Sequence, residues 1–504
     1  MPGMTATTAP LRDGRLGVED PATGQLIREV PIASGDAVRE MAARARQAQR
    51  AWAEAGLSAR ADVFAAARRW LIANQDRVRS VICSETGKTH DDAQVEVTVA
   101  AQSFAFWARH AEKYLADERL RTASPLAFGR RVTIRYAPLG LVGVIGPWNY
   151  PLVNAFCDCV PALMAGNAVI MKPSEVTPLT GLLCKEMMDA AGAPPGVFEV
   201  AVGARETGEA LVDEVDFVMF TGSTRTGQAV MERAARTLTP VSLELGGKDP
   251  MIVCADADVE RAANAAAYYG LNNAGQVCIS IERVYVEAPV YDEFVKRLVE
   301  NVKALRQGPP SAPGEVEIGA VTSPPQVGII DAHVRDARDK GAAVLTGGRP
   351  REGDGRFYEP TVMVGVDHSM ACMREETFGP TIPVMRVADT EEAVRLANDS
   401  RYGLQASVFS RDRKKAAAIA RRLECGAVCI NDAQVNYTIF DAPMGGWKSS
   451  GVGSRHGSGG IRKYCKTQTI VGSAPPLKRD LHMFPYTPKR SRLLAAFAKR
   501  VYGR

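Results

Sequence analysis

The chain has 504 residues, 46% apolar and 24% charged, with a formal net charge of +5. That length exceeds one hydrophobic core and predicts two or three domains, while the ordinary balance excludes a wholly disordered protein. The small net charge gives no nucleic-acid footprint. Met1–Asp20 lacks the basic head and apolar run of a secretory signal, and no stretch reaches the roughly 18–20 apolar residues of a membrane span. The ten cysteines form no Cys-x-x-Cys pair and the six histidines do not cluster with them, so neither a disulfide framework nor a metal site is expected. A reducing cytoplasm is the expected setting.

Residues 36–120 show amphipathic helical periodicity. Arg130–Tyr136 alternates as an exposed strand does and suggests a hairpin arm for oligomerisation. From Leu141 short β-rich runs alternate with helical ones. The predicted strands are Leu141–Ile145, Ala168–Met171, Phe198–Val202, Asp216–Phe220 and Val241–Leu243. The predicted helices between them are Leu152–Leu163, Leu179–Ala191 and Thr224–Arg236. This spacing implies an α/β fold with a parallel sheet covered on both faces. A second α/β stretch follows, with strands predicted at Val284–Val286, Thr361–Val364 and Ala406–Phe409. Pro309–Gly314 and Gly347–Gly355 are loops by composition.

Cys278 follows a loop-like Asn-Asn-Ala-Gly and Gln276-Val277; alone it is as readily a small buried hydrophobe as a nucleophile. Glu244 ends a strand before a Gly-Gly turn, where open α/β sheets place their sites. Asn149 lies between Pro147 and Pro151, so its amide is held in one direction, as an oxyanion donor must be. The other reading of each is a charged loop residue and a turn asparagine. Lys172-Pro173-Ser174-Glu175 after a strand offers a cation and a carboxylate for ribose hydroxyls. Gly222-Ser223-Thr224-Arg225-Thr226-Gly227 opens a helix whose N-terminal amides suit a pyrophosphate, although a bare G-x-x-x-x-G is a weak signal.

Taken together and in order, PWNYP at 147–151, KPSE at 172–175, FTGSTRTG at 220–227, LELGGK at 243–248, GQVC at 275–278, EETFGP at 375–380 and PMGGWKSSG at 443–451 resemble the aldehyde dehydrogenase superfamily, over about residues 18–472. The resemblance implies a Rossmann-type NAD-binding domain (18–122 and 141–246), a catalytic domain (247–449) and an oligomerisation arm (123–140 and 456–475), assembled as a homodimer or homotetramer. It implies that Cys278 attacks an aldehyde and that Asn149 and the Cys278 N–H hold the oxyanion. The thiohemiacetal then passes hydride to the nicotinamide, and Glu244 activates the water that hydrolyses the thioester. Trp148, Lys172, Pro173, Ser174, Glu175, Gly222, Ser223, Gly227, Glu376 and Phe378 fall at cofactor positions. Glu175 favours NAD, since a carboxylate repels a 2′-phosphate; NADP is the alternative.

Family members often carry a lysine after the asparagine motif and a glutamate near the C-terminal Gly-rich loop, both reaching the base. Here those positions hold Asp158 and Arg455, which predicts a salt bridge of exchanged sign behind Glu244. The run from Cys278 to Arg283 and GVGSRHG at 451–457 resemble a bacterial branch labelled succinate-semialdehyde dehydrogenase. The positions where such enzymes use arginines are Asn272 and Cys157 here. The expected funnel of Tyr150, Asn154, Cys157, Ile279, Phe440 and Met444 favours an apolar or aromatic aldehyde, with succinate semialdehyde as the alternative. A coenzyme A-acylating enzyme and a non-catalytic protein of this fold are the more distant readings; Glu244 argues against the first, and the presence of Cys278, Asn149 and Glu244 together against the second.

Residues 476–504 extend past the family's usual end. Residues 474–504 hold eight Lys or Arg against Asp480, a balance of +7 that leaves −2 for the rest of the chain. Lys489–Tyr502 is predicted to form a basic helix with Leu493, Phe497 and Val501 on one face. Packing against a neighbouring subunit, or partial disorder, is the preferred reading, with peripheral contact of 489–502 on an anionic membrane as the alternative.

Overall fold

The computed structural model describes residues 11–12, 14–127, 129–310, 312–473, 478–480 and 482–503. Three short strands, β1 (Leu11–Arg12), β2 (Arg15–Glu19) and β3 (Leu26–Pro31), form an antiparallel meander. The sequence reading missed it, because arginines and glutamates interrupt its apolar alternation. Four helices follow: α1 (Gly35–Glu54), α2 (Gly56–Ala73), α3 (Gln75–Thr86) and α4 (His90–Leu115). Ser34 and Thr89 cap α1 and α4 by accepting from Ala37 and Asp92 N–H, and Asp91 and Asp92 suit the positive end of α4.

The predicted βα alternation is present. Strands β6 (Leu141–Ile145), β7 (Ala168–Lys172), β8 (Phe198–Val200), β9 (Phe217–Thr221) and β10 (Val241–Glu244) form a parallel sheet in the order β10-β9-β6-β7-β8. Every residue of β6 and β9 is buried, as expected of a sheet covered on both faces. The covering helices include α5 (Cys157–Met164), α6 (Leu179–Ala190), α7 (Arg205–Glu214) and α8 (Thr224–Ala235). Two details depart from expectation. Strand β9 starts at Phe217, because Asp216 turns its carboxylate to accept from Leu141 N–H at 2.7 Å. The segment Leu152–Leu163 is not one helix: Leu152–Phe156 is a π turn running into α5, which contains Pro161. Proline has no N–H for the carbonyl four residues back, so the ladder here is already interrupted.

A second sheet of seven strands carries β11 (Pro250–Val253), β12 (Arg283–Glu287), β13 (Ala343–Thr346), β14 (Thr361–Val364), β15 (Thr381–Val387), β17 (Gln405–Phe409) and β18 (Ala427–Ile430), in the order β13-β14-β15-β12-β11-β17-β18. Only β13 runs antiparallel, at an edge. Between β15 and β17, β16 (Tyr402–Gly403) pairs with β19 (Trp447–Lys448), and β20 (Gly451–Val452) returns to the first sheet beside β10. Helix α9 (Val259–Leu271) packs beside this sheet and leads into the Cys278 loop.

Strands β4 (Glu118–Leu120), β5 (Arg130–Pro138) and β21 (Cys465–Ser473) form an antiparallel sheet in which β5 pairs with β21 along its whole length. Residues 130–138 and 465–473 of the segments expected as an arm lie in this sheet, which also takes in Glu118–Leu120 outside them; residues 474–475 lie outside the described residues. No helix among the described residues is long and apolar enough to cross a membrane.

Candidate active site

The chain leaves β6 at the carboxyl edge of the first sheet and enters Pro147–Pro151. A buried ion pair clamps this loop. Lys88 Nζ donates to Glu96 at 2.5 Å and to the Asn149 carbonyl at 2.8 Å, and lies over the Tyr150 ring at 3.9 Å. The other Glu96 oxygen accepts the N–H groups of Leu152 and Val153 at 3.1 and 3.2 Å, closing the open N-terminal end of the π turn as a capping carboxylate would. The sequence reading singled out neither residue; the available signal was the Thr86-Gly87-Lys88-Thr89 turn between α3 and α4. Thus fixed, Asn149 directs its amide Nδ2 to the carbonyl of Gln276 at 2.9 Å, two residues before Cys278.

The Cys278 loop is held under backbone strain. Asn273, Ala274 and Gly275 adopt φ of 50°, 54° and 72°, a left-handed run that costs non-glycine residues of order 1–3 kcal/mol each. A side chain at Gly275 would run into the Gly379 carbonyl. Gln276 locks the turn: its Nε2 donates to Asn273 O and its Oε1 accepts from Thr322 N–H, both at 2.9 Å. Cys278 is half-buried and lines a cavity of about 270 Å³. Burial pushes its thiol up to about 12, opposed mainly by the Arg455 charge.

Glu244 is the last residue of β10 and is 3% exposed. The turn after it passes so close to Cys278 that a Cβ at Gly247 would lie 2.6 Å from the Cys278 carbonyl. Neither Glu244 oxygen accepts a hydrogen bond from any described group. Burial raises its pKa to about 7, with Arg455 and Lys463 pulling it down.

The predicted pair of exchanged sign is present. Arg455 grips Asp158 through Nε and Nη2, both at 2.9 Å, donates also to Thr221 Oγ1, and leaves Nη1 3.9 Å from Glu244 Oε2. The cluster has a fourth member that the sequence reading missed. Lys463 Nζ donates to Ser242 Oγ at 3.2 Å and to Ser454 O at 3.0 Å; burial lowers its pKa to about 8 against the pull of Asp158 and Glu244. It sits in a Gly-rich stretch with no recognisable spacing to Glu244.

On the opposite side, Lys172 ends β7 and donates to Pro173 O at 3.1 Å and to Glu175 at 3.5 Å. Ser174 accepts from Val176 N–H, and Pro173 packs against Gly181. Trp148 meets Phe378 edge to face at 5.3 Å, with Phe378 held at φ 51°. Glu376 accepts from Gly247 N–H at 3.0 Å, and burial and Glu282 push it up to about 8.

The Gly-rich turn corrects one expectation. The N–H groups of Gly222 and Gly227 donate to Glu244 O and Ser223 O, and Ser223 caps α8 by accepting from Thr226 N–H. These glycines give close packing, since a Cβ would press on the Phe220 ring or on Leu245. The positive helix end remains, without either glycine amide.

The funnel is also partly different. Tyr150, Asn154 and Ile279 line the cavity with Cys278, together with Tyr268, Val435 and Tyr437. Cys157 and Phe440 do not; they line a separate void of about 10 Å³ beside Asp158, Arg455 and Lys463, room for about one water. Met444 packs behind Cys278 and is 2% exposed. For Cys157 the physical reason is the π turn before α5, which offsets it from the single helix read from sequence; Phe440 clusters instead with Val99 and Val153, and Met444 with Val277, Ile279 and Leu404. No Lys or Arg lines the cavity, and its one carboxylate, Glu96, is engaged by Lys88.

The aldehyde dehydrogenase family profile matches residues 10–470. The chain belongs to the aldehyde dehydrogenase family. It is an enzyme, an oxidoreductase acting on the aldehyde group with a nicotinamide dinucleotide. A Mycolicibacterium smegmatis protein named "Putative succinate-semialdehyde dehydrogenase", with NADP in its name, is 40% identical over 468 residues, 91% of this chain and 90% of its own. A Methylomonas protein named 4,4'-diapolycopene aldehyde oxidase is 37% identical over 486 residues, 96% of this chain and 90% of its own. Among solved structures, lactaldehyde dehydrogenase from Escherichia coli superposes with a TM-score of 0.87 at 33% identity, covering 92% of this chain and 96% of that one.

Removing Asp158 from this aldehyde dehydrogenase strands Arg455. Asp158→Ala is expected to lose about 3–5 kcal/mol in chemical denaturation, as broken buried pairs do. A loss below about 1 kcal/mol would show that the pair is not structurally coupled.

Proposed function

We propose that the enzyme oxidises apolar or aromatic aldehydes to carboxylic acids through a thioester on Cys278, hydrolysed by water that Glu244 activates. The observation that carries this reading is the Glu244 carboxylate, buried at a strand end beside the Cys278 loop with no hydrogen-bond donor of its own. Burying such a group costs stability, and a base that must take a proton from water accounts for it.

Cys278 Sγ forms a bond to the aldehyde carbon as its proton leaves to a nearby base. Asn149 Nδ2 and the Cys278 N–H stabilise the resulting oxyanion; the clamp by Lys88 and the acceptor at Gln276 keep that amide aimed. The dinucleotide, when bound, supplies the two-electron oxidation that turns the adduct into a thioester. Glu244 then takes a proton from water as the hydroxide adds to the acyl carbon, and Cys278 leaves as thiolate. Arg455 favours the ionised form of Glu244, and Asp158 holds Arg455 in place.

The residues present suit a dinucleotide. Lys172 and Glu175 offer a donor and an acceptor to the adenosine ribose, the α8 N-terminus at Ser223 suits the phosphates, and Glu376, Phe378 and Trp148 flank the nicotinamide ribose and ring. Glu175 supports NAD over NADP, while the name of the mycobacterial relative points the other way. We assign the dinucleotide to the first sheet, catalysis to the second, and assembly as a dimer or tetramer to the β4-β5-β21 arm.

Substrate preference follows from the cavity wall. A distal carboxylate would find no Lys or Arg there and would face Glu96, whereas tyrosines and valines suit a hydrocarbon or aromatic chain. The name of the Methylomonas relative, an oxidase of a long apolar aldehyde, agrees.

Cys278→Ala is expected to abolish NAD reduction while the protein stays folded; retained turnover would remove the thioester mechanism. Glu244 acts as a base only when ionised, so kcat should rise as pH climbs through about 7 and lose that limb in Glu244→Gln; a limb unchanged in the variant assigns it elsewhere. Medium-chain and aromatic aldehydes should exceed succinate semialdehyde in kcat/KM by about tenfold or more, on the order of one charge-assisted bond. A higher value for succinate semialdehyde contradicts the cavity argument.

A further inference from the structure

After β21, the chain continues in a segment that neither the fold nor the site uses. The helix Pro488–Tyr502 is opened by Thr487, which accepts from Arg490 N–H, with Pro488 in its first turn. None of its residues is buried. At about 100° per residue, Leu493, Phe497, Val501 and Leu494 share one side; Arg492 and Lys499 lie opposite, Lys489 and Arg500 flank the apolar side, and Arg490 stands at its N-terminal end. Just before it, Phe484 and Tyr486 are 73% and 68% exposed and stack on each other at 4.7 Å. The one acid of the described tail, Asp480, is already paired with Arg130 at 2.6 Å.

We infer that this segment is a docking surface for an anionic phospholipid membrane. The helix carries five cations and no acid, so its charge matches a surface of phosphate headgroups. The same charge opposes the equivalent helix of a second copy. The apolar side runs from Leu493 to Val501, about 12 Å at 1.5 Å per residue, and would sit at the level of the first acyl carbons, with the lysine and arginine stems reaching back to the headgroups. The aromatic pair Phe484 and Tyr486 precedes it, where amphipathic rings favour the membrane–water boundary. Anchoring here would set an apolar-walled cavity near the phase into which apolar aldehydes partition. The docking itself does not depend on which aldehyde the enzyme takes.

The test is co-sedimentation of the full chain with vesicles of phosphatidylcholine alone and of phosphatidylcholine mixed with phosphatidylglycerol. The comparison proteins are a chain ending at Ser473 and the full-length Phe497→Asp, whose helix is kept. The full chain should pellet at least about tenfold more with the anionic vesicles than with the neutral ones and be released by added salt. Phe497→Asp and the shortened chain should both lose that binding, with dehydrogenase activity of Phe497→Asp on a soluble aldehyde unchanged. Equal pelleting of all three proteins, no pelleting of the full chain, or a Phe497→Asp that binds vesicles normally would overturn the inference. So would a tail substitution that changes the subunit count without changing vesicle binding, which would assign the helix to a protein contact.

Discussion

The site depends on a carboxylate kept out of water at the end of a strand. Glu244 is placed by β10, and its burial alone would leave it largely protonated. What offsets this is Arg455, brought from the far end of the chain and held by both oxygens of Asp158. A single buried arginine facing Glu244 would itself be costly; the Asp158 fork makes it tolerable. Lys463 adds a second positive charge to the same pocket. The base, its cation and the acid behind that cation therefore form one electrostatic unit, and the catalytic carboxylate cannot be understood apart from it.

A second constraint acts across the cavity. Lys88 and Glu96 are wholly buried and bond in three directions to the loop carrying Asn149. The Cys278 loop is pinned at its far end by a buried ion pair of its own, Lys248 with Glu282 at 2.6 Å. It is locked by Gln276 and by the crowding of Gly275 against Gly379, which forces the left-handed run. Asn149 Nδ2 joins the two locked loops at the Gln276 carbonyl, and Asn273 Nδ2 donates back to the Asn149 carbonyl, so the amide and the sulfur are referenced to each other through two hydrogen bonds. Preorganisation of this kind places a donor where charge develops rather than where the substrate rests.

Much of this was legible in the chain itself. The strands of the first sheet were visible because residues buried on both faces give unbroken apolar runs, and Glu244, Asn149 and the 172–175 segment stood at their ends. The exchanged pair Asp158 and Arg455 was legible because each occupies a position relative to a motif. The remainder was hidden for identifiable reasons. Cys157 and Phe440 were assigned to the funnel from their matching positions; Cys157 follows a π turn that a sequence pattern does not show, and it lines a separate void with Phe440, which comes from a distant segment. Gly222 and Gly227 looked like phosphate binders, yet their amides are used by Glu244 O and Ser223 O. Lys88 and Glu96 matter through the loop at 149–153 and Lys463 through Ser242 and Glu244, all distant in sequence, and the local pattern shows at most a turn at Lys88.

The central claim is that an acyl group rests on Cys278 and that Glu244 removes it. Intact-mass analysis of Glu244→Gln after mixing with a medium-chain aldehyde and NAD addresses this directly, because the variant keeps the nucleophile and lacks the base. The account predicts one added acyl group per subunit, mapped to Cys278 and released by hydroxylamine. An unmodified protein under conditions where the dinucleotide is reduced, or an acyl group carried on any other residue, would contradict it.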